Sequence, residues 1–306
     1  MDKPLVSIIT PCYNGEAFLD RYFNSVLSQT YTNLELIFIN DGSNDRTEKI
    51  ALSYREKLES RGIAFIYEYQ ENAGQAAALN RGVKLFKGDY IVWPDSDDVI
   101  TPDSIEEKVN FLLKNRDVQM VRSNGLFIDE TTGDKRRISN ERHNEKEDIF
   151  KDLLLLKTFG QSGCYMISKE LFLKCYPERD IFVSRTGQNW QLTVPASSYS
   201  MCGYIDEDLY FIYERPQSHS RKKRSYEEWY ARWDAFTEIL VNAINHSCCD
   251  KKIYIKLVNE NCARQKFYYA VAEKNKAMMK KCINDIKKNG KVSLTEYILY
   301  LRKTML

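Results

Sequence analysis

The chain has 306 residues, 43% hydrophobic and 12% aromatic, which suits one large domain or two modest ones and excludes a disordered chain. No stretch approaches the roughly 18–20 uninterrupted apolar residues of a membrane span, and Met1-Asp2-Lys3-Pro4 leads into a strand with no secretory-leader pattern. The net charge of +2 conceals an asymmetry, since residues 251–306 hold 14 Lys and Arg against 4 Asp and Glu, leaving 31 basic and 39 acidic residues in 1–250. Leu5 to Thr10 then predicts an apolar strand, closed by the turn-forming cluster Pro11-Cys12-Tyr13-Asn14-Gly15. Phe18, Tyr22, Val26 and Leu27 recur at helical spacing. Leu34 to Ile39 predicts a second strand, Asn40 to Asp45 a loop rich in helix-capping side chains, and the following residues a polar helix to about Arg61. Ile63 to Tyr69 is a third strand, Gly74 to Phe86 an Ala-rich helix, and Tyr90 to Trp93 a fourth strand. This alternation implies βαβ units and an α/β fold with a largely parallel, doubly wound sheet.

Beyond residue 118 the pattern is less regular. Val118 to Ile128 reads as a strand interrupted at Gly125, and Asp129 to Glu147 as a charged insertion in the form of a mobile loop. Leu153 to Leu156, the Gly160-Gln161-Ser162-Gly163 turn and Cys164 to Ile167 precede a helix starting near Lys169. From Tyr226 onward the pattern is helical: Tyr226, Trp229, Trp233, Phe236, Leu240 and Ile244 form an apolar packing stripe, and two to three more helices follow to Leu306. The basic run Arg221-Lys222-Lys223-Arg224 marks a boundary between residues 1–221 and a basic helical region, 222–306. The eight cysteines (12, 164, 175, 202, 248, 249, 262 and 282) form no CxxC pair and no zinc spacing, which fits reduced thiols and a cytoplasmic protein.

The densest chemical signal is Gly88-Asp-Tyr-Ile-Val-Trp-Pro-Asp-Ser-Asp-Asp98, where a short apolar strand runs into Asp95, Asp97 and Asp98. Carboxylates this close repel one another unless they share a cation. At the carboxyl end of a buried strand they suggest a divalent metal, and oxygen ligands suit Mg²⁺ or Mn²⁺ held by one or two carboxylates plus substrate phosphates. The same residues could instead be a solvated turn capping a helix that starts near Pro102. The glycine-rich GxGxxG and GxxxxGK[ST] phosphate loops are absent. A mononucleotide at these strand ends would therefore be gripped by side chains and loop backbone.

Four motifs fall at successive strand ends: Pro11-Cys12-Tyr13-Asn14, Asp41-Gly42-Ser43, Asn72-Ala73-Gly74-Gln75 with Asn80 and Gly82, and Asp95-Ser96-Asp97-Asp98. In this order and spacing they resemble family 2 glycosyltransferases of the GT-A fold, strongly over residues 4–115, loosely over 116–220 and not beyond 221. The resemblance implies that Thr10, Pro11, Tyr13 and Asn14 line the base pocket, with Tyr13 stacked on uracil, and that Asp41 bonds the base edge. It implies that Gly74 and Gln75 close over the nucleotide, that Asp95 with Ser96 meets the ribose, and that Asp97 binds Mn²⁺ or Mg²⁺ bridging the diphosphate. A departing diphosphate carries charge that such a cation neutralises. Downstream, Tyr213 to Arg221 resembles the family's closing loop, in which His219 would complete the metal shell while Arg215 and Arg221 pair with phosphate oxygens.

Inverting members carry a Glu-Asp pair before an aromatic residue, the Asp acting as general base. Here Gln188-Asn189-Trp190 stands in that place, and an amide cannot take a proton at neutral pH. Three explanations stay open: another carboxylate serves as base, with Asp206, Glu207 and Asp208 as candidates; Gln188 and Asn189 only position sugar hydroxyls; or the chain is a non-catalytic nucleotide-sugar-binding partner subunit. The expectation is an active, metal-dependent transferase. It would move sugar from a UDP-sugar to a hydroxyl of a glycan, glycolipid or glycoprotein, as in bacterial surface polysaccharide or glycoconjugate synthesis. The basic tail could hold a cytoplasmic protein against the inner face of the membrane, near lipid-linked acceptors, or form an oligomer interface. A nucleic-acid partner is not expected, because it leaves the acidic site unexplained.

Overall fold

Every residue of β1 (Val6–Cys12) and of β2 (Leu34–Asp41) is buried, the pattern of parallel strands covered on both faces. The computed structural model describes residues 3–184, 187–215 and 225–305. β1 pairs in parallel with β2, from Val6 opposite Leu34 to Cys12 opposite Asn40. β3 (Ala64–Gln70) adds in parallel to the outer edge of β2, and β4 (Tyr90–Val92) in parallel to the other side of β1. Pro11 and Cys12, expected in a turn, are thus the last rungs of β1. Proline is tolerated at a strand end, where few ladder bonds need its missing N–H.

Between these strands lie α1 (Leu19–Leu27), the pair α2 (Thr47–Ser53) and α3 (Arg55–Ser60), and α4 (Gln75–Leu85). The single polar helix expected to Arg61 therefore divides at Tyr54, whose ring stacks 4.8 Å from Phe23 of α1. α4 lies close on the sheet through Ala76, Ala78 and Leu79. A Cβ at Gly82 would come 2.3 Å from Ile9 Cγ2, so only glycine permits that approach.

After β4 come the short β5 (Val99–Ile100), α5 (Ser104–Lys114), β6 (Met120–Asp129), β7 (Lys135–Arg137), β8 (Lys146–Glu147) and α6 (Phe150–Leu154). A single 3-10 turn, Ser162–Cys164, leads into β9 (Tyr165–Ser168), α7 (Lys169–Cys175), α8 (Gln188–Ser197) and the long β10 (Cys202–Glu214). The sheet runs β3-β2-β1-β4-β9-β6-β10-β5, a mostly parallel GT-A sheet with β9 inserted antiparallel between β4 and β6. Gly125 does not interrupt β6. A Cβ there would meet the Tyr210 carbonyl oxygen at 2.3 Å, and the β6–β10 register shifts around it. The charged insertion is held to the sheet and not loose: β7 pairs with β6 and β8 with β10, and Arg136, Arg137 and Lys146 bind Glu214, Asp208 and Asp117 at 2.7–2.8 Å.

Four helices close the chain: α9 (Tyr226–Asn245), α10 (Lys251–Ala272), α11 (Lys276–Asn289) and α12 (Leu294–Met305). Ser225 and Glu228 form a reciprocal capping box on α9, and Asp250 and Asn275 cap α10 and α11. The aromatic stripe of α9 is packing, as expected, with Trp229 stacked 3.8 Å from Tyr269 and Phe236 edge-on to Trp190 at 5.6 Å. Leu240, Ala243, Ile244, Val258 and Cys262 join the core of the sheet, whereas Phe267, Met279, Ile283 and Ile286 form a second, smaller core with α11 and α12. The basic run expected as a boundary lies outside the described residues.

Candidate active site at the carboxyl ends of the parallel strands

β3, β2, β1 and β4 are adjacent and parallel, so the loops leaving their carboxyl ends share one rim. Open α/β sheets bind ligands there. Asn14, in the left-handed region at φ 51°, donates its N–H to Ser43 Oγ (2.9 Å), and its Oδ1 accepts from Asn44 N (2.9 Å). The first loop is thereby bolted to the second, leaving the Tyr13 ring about half exposed at 48%. Thr10 faces inward, its hydroxyl bonded to buried Tyr22. Thr10 and Pro11 are both buried at the end of β1, and Thr10 turns no side-chain polar atom to a ligand.

Asp41 is buried and ties the third loop down. Its Oδ1 accepts from Gln70 Nε2 (2.7 Å) and Ala73 N (2.9 Å), and its Oδ2 from Gly74 N (2.9 Å). Two oxygens offer about four lone-pair sites, so these three bonds leave one on Oδ2. Gly74 stands at φ 93° before α4, a conformation glycine adopts without strain. The next residue, Gln75, donates Nε2 to Asp95 Oδ1 at 2.5 Å and links the third loop to the fourth. Asn80, part of the same motif, does other work: it bonds Asp180 (2.8 Å) and Ile181 N (2.8 Å), anchoring the segment that leads to α8.

The three carboxylates after β4 have separate environments. Asp95 receives Gln75 and, on Oδ2, the Ser162 hydroxyl (3.1 Å). Burial and the Asp97 charge push it up to about 6. Asp98 is buried, accepts from the Tyr210 hydroxyl (2.7 Å) and Tyr213 N (3.1 Å), and is driven well above the usual carboxylate range by burial and its two acidic neighbours. It holds the loop to β10 and does not face solvent. Asp97 is the exposed member, at 37% of its side chain, and is ion-paired with Arg215. That guanidinium lies flat on Phe18 at 3.6 Å, and among the described residues its Nη1 has no partner. Arg21 braces the same corner: it bonds the Asp97 carbonyl (2.7 Å) and Glu130 (2.7 Å) and stacks on Tyr213 at 3.5 Å. Ser96 lies against the buried Cys12 thiol, which burial pushes up to about 12, leaving it inert.

Among the described residues no three His, Cys, Asp or Glu side chains converge as a metal cage. A cation resting on one carboxylate plus substrate phosphates needs no such cage. The guanidinium on Asp97 is a stand-in cation, so this corner accepts positive charge. His219 and Arg221 lie outside the described residues.

On the other side of Asp95, loop 157–164 joins the rim through Ser162 and reaches α8 through Gly160, where a Cβ would lie 3.1 Å from the Trp190 ring. Gln188 and Asn189 open α8 after Gly187 at φ 65°. Among the described residues the buried amide oxygens of Asn189 and Gln161 find no donor. Asp206 and Asp208 are engaged elsewhere: both bind Arg137 (2.7 and 2.8 Å), and the Asp206 carboxyl is held below the usual range by that guanidinium and lies 70% exposed. Glu207 is also exposed on this stretch of β10. Tyr210, Arg21, Glu130, Gln161 and Ser162 were not singled out from sequence. Only the Gly160–Gly163 turn signalled any of them, because the others reach the rim from elements distant along the chain.

Residues 7–175 match the family model described as "Glycosyl transferase family 2". Over 174 residues the chain is 38% identical to an uncharacterized glycosyltransferase of Rickettsia typhi, covering 56% of this chain and 52% of that one. Over 129 residues it is 42% identical to one of Haemophilus influenzae, covering 42% and 50%. The chain thus spans about half the length of these curated relatives. In fold it is similar to S. aureus TarS 1–349, solved with UDP-GlcNAc, at a TM-score of 0.64 and 17% identity over 97% of this chain and 79% of that one. It is also similar to the mannosyltransferase PcManGT of Pyrobaculum calidifontis, solved with GDP-Man and Mn²⁺, at 0.53 and 14% over 99% and 85%. With the family model covering more than half of its length, the chain belongs to glycosyl transferase family 2 and has the GT-A fold.

Proposed function

We propose that the chain transfers a sugar from a UDP-sugar to a hydroxyl of a glycan or lipid-linked acceptor, as in bacterial surface glycan synthesis. One observation carries this: four strand-end loops are tied into a single rim through Asn14–Ser43, Asp41–Gly74 and Gln75–Asp95. Tyr13 offers an exposed face on which a uracil ring stacks, and the remaining Oδ2 position of Asp41 accepts from the N–H of the base edge. Ionised Asp95 accepts from a ribose hydroxyl beside Ser96. The one acceptor position left on Asp41 matches the single N3–H of uracil, whereas guanine presents two adjacent donors, and TarS, similar in fold, was solved with UDP-GlcNAc.

Asp97 would hold a divalent cation, Mn²⁺ or Mg²⁺, with Arg215 moving onto the diphosphate through Nη1, which has no partner among the described residues. When bound, that cation supplies neutralisation of the charge on the departing diphosphate. His219 and Arg221, if they reach this corner, add to the same positive field. At the reacting centre the bond from anomeric carbon to phosphate oxygen breaks with its electron pair leaving on UDP, and the acceptor oxygen bonds the same carbon from the opposite side, inverting it. Gln188, Asn189 and Gln161 orient the acceptor hydroxyl through amide oxygens, and its proton departs late, to water or to the leaving diphosphate. Asp206 is read as a partner of Arg137 and not as the base, because that bond makes it a weaker proton acceptor.

The test is release of free nucleotide from a panel of UDP- and GDP-sugars, with Mn²⁺ or with EDTA. UDP release that needs the metal and is lost in Asp97→Ala is expected. Full turnover in that variant would sink the donor-site assignment.

A further inference from the structure

α12 packs through one side only. Leu299, Tyr300 and the preceding Val292 lie against the smaller core, and Glu296 is fully buried against Arg264 of α10. The opposite side is also apolar. Leu294 is 76% exposed, Tyr297 47% and Ile298 40%, at the spacing that places them on one helical face. Tyr268 of α10 is 45% exposed and lies within electrostatic reach of Glu296, and so beside α12. A contiguous outward cluster of large apolar side chains marks an interaction surface, unlike apolar residues scattered singly.

Its surroundings are strongly cationic. Residues 251–306 carry 14 Lys and Arg against 4 acidic residues, and two of those four, Glu260 and Glu296, are both turned onto Arg264. Lys280, Lys281, Lys287, Lys288, Lys291 and Arg302 are exposed on and beside α11 and α12. No helix among the described residues is long and apolar enough to cross a membrane. Exposed leucine, isoleucine and tyrosine bordered by lysines is the composition of a helix that lies in a lipid headgroup layer, its apolar face inserted and its cations on anionic lipid. Five of these six cations are lysine, which protein–protein interfaces deplete, whereas an anionic headgroup layer takes lysines on the polar side of such a helix.

We propose that the outward face of α12, with Tyr268 and the lysines around it, seats this glycosyltransferase on an anionic lipid surface. The function is separate from donor binding and does not depend on the identity of the sugar.

Flotation of the full chain with phosphatidylcholine vesicles, with and without about 30% phosphatidylglycerol, tests this. Binding is expected only with the anionic lipid, weakened by high salt and reduced at least about tenfold by Leu294→Glu with Ile298→Glu. Both positions are exposed, so circular dichroism and UDP binding should match wild type. Equal binding by that double variant overturns the proposal, as does no binding of the wild type. A concentration-dependent dimer in sedimentation, abolished by the same substitutions and without vesicle binding, overturns it in favour of a self-interface.

Discussion

Tyr210→Phe removes a single oxygen that holds the acidic loop to the sheet. The hydroxyl donates to Asp98 Oδ2 at 2.7 Å and accepts from Asp95 N at 3.1 Å, and the residue is completely buried. The ring itself should stay in place, since it is packed so tightly that a Cβ on Gly163 would lie 2.0 Å from it. No cavity term of consequence therefore arises. A lost hydrogen bond removes about 0.5–1.5 kcal/mol, and leaving the buried Asp98 oxygen and the Asp95 N–H without this partner costs about 1–3 kcal/mol more. Because Asp95 is only half-buried and water can reach part of that loop, about 2–4 kcal/mol is expected in sum. Urea unfolding followed by tryptophan fluorescence suits the measurement, because buried Trp93 adjoins the loop. Tyr204→Phe is the control: its hydroxyl bonds exposed Asp206 at 3.1 Å, and its loss should shift stability by less than about 0.5 kcal/mol. UDP affinity should fall in the first variant and not in the second. If Tyr210→Phe unfolds within about 0.5 kcal/mol of wild type, Asp98 does not anchor the loop and the division of labour among the three carboxylates is wrong.

Asp97→Ala should lower metal-dependent donor turnover by at least about a hundredfold while leaving the fold intact, measured as nucleotide release and by circular dichroism. Asn189→Asp keeps an acceptor oxygen at the same place, so turnover should persist or rise, with a new acidic limb in the pH profile; complete loss in a folded variant would show that the amide N–H grips substrate. Lys108 is buried against Ser104 Oγ (2.8 Å) and the Gly163 carbonyl, and burial pulls it down to about 8. The folded protein therefore releases this proton before the unfolded chain does, and wild-type stability rises relative to Lys108→Met as pH climbs from about 8 towards about 10. Paired denaturation curves at these two pH values check the sign; a constant gap refutes it. Asp206→Ala should change turnover less than about twofold, because its carboxylate serves Arg137.

The strands β1 and β2 were legible because burial on both faces demands mostly apolar runs, as in Leu34–Ile39 and Val6–Thr10, whose buried Glu35 and Ser7 bond one another. Other features are set by contacts far apart in sequence. The helix splits at Tyr54, where its ring stacks on Phe23, and at Gly125 the missing side chain lets the Tyr210 carbonyl approach β6. The charged stretch after Asp129 looked loose because its anchors, Asp208, Glu214 and Asp117, lie outside it.

The acidic run after β4 illustrates the division. Its composition and its place at a strand end follow from sequence, because local patterning sets both where β4 ends and which side chains come next. Which carboxylate faces a ligand does not. Asp95, Asp97 and Asp98 are chemically alike, and only the arrival of Gln75, Ser162, Tyr210 and Arg215 from three other parts of the chain makes one a linker, one an anchor and one open to a cation. Burial and hydrogen-bond partners decide what a carboxylate does, and both are properties of the folded chain.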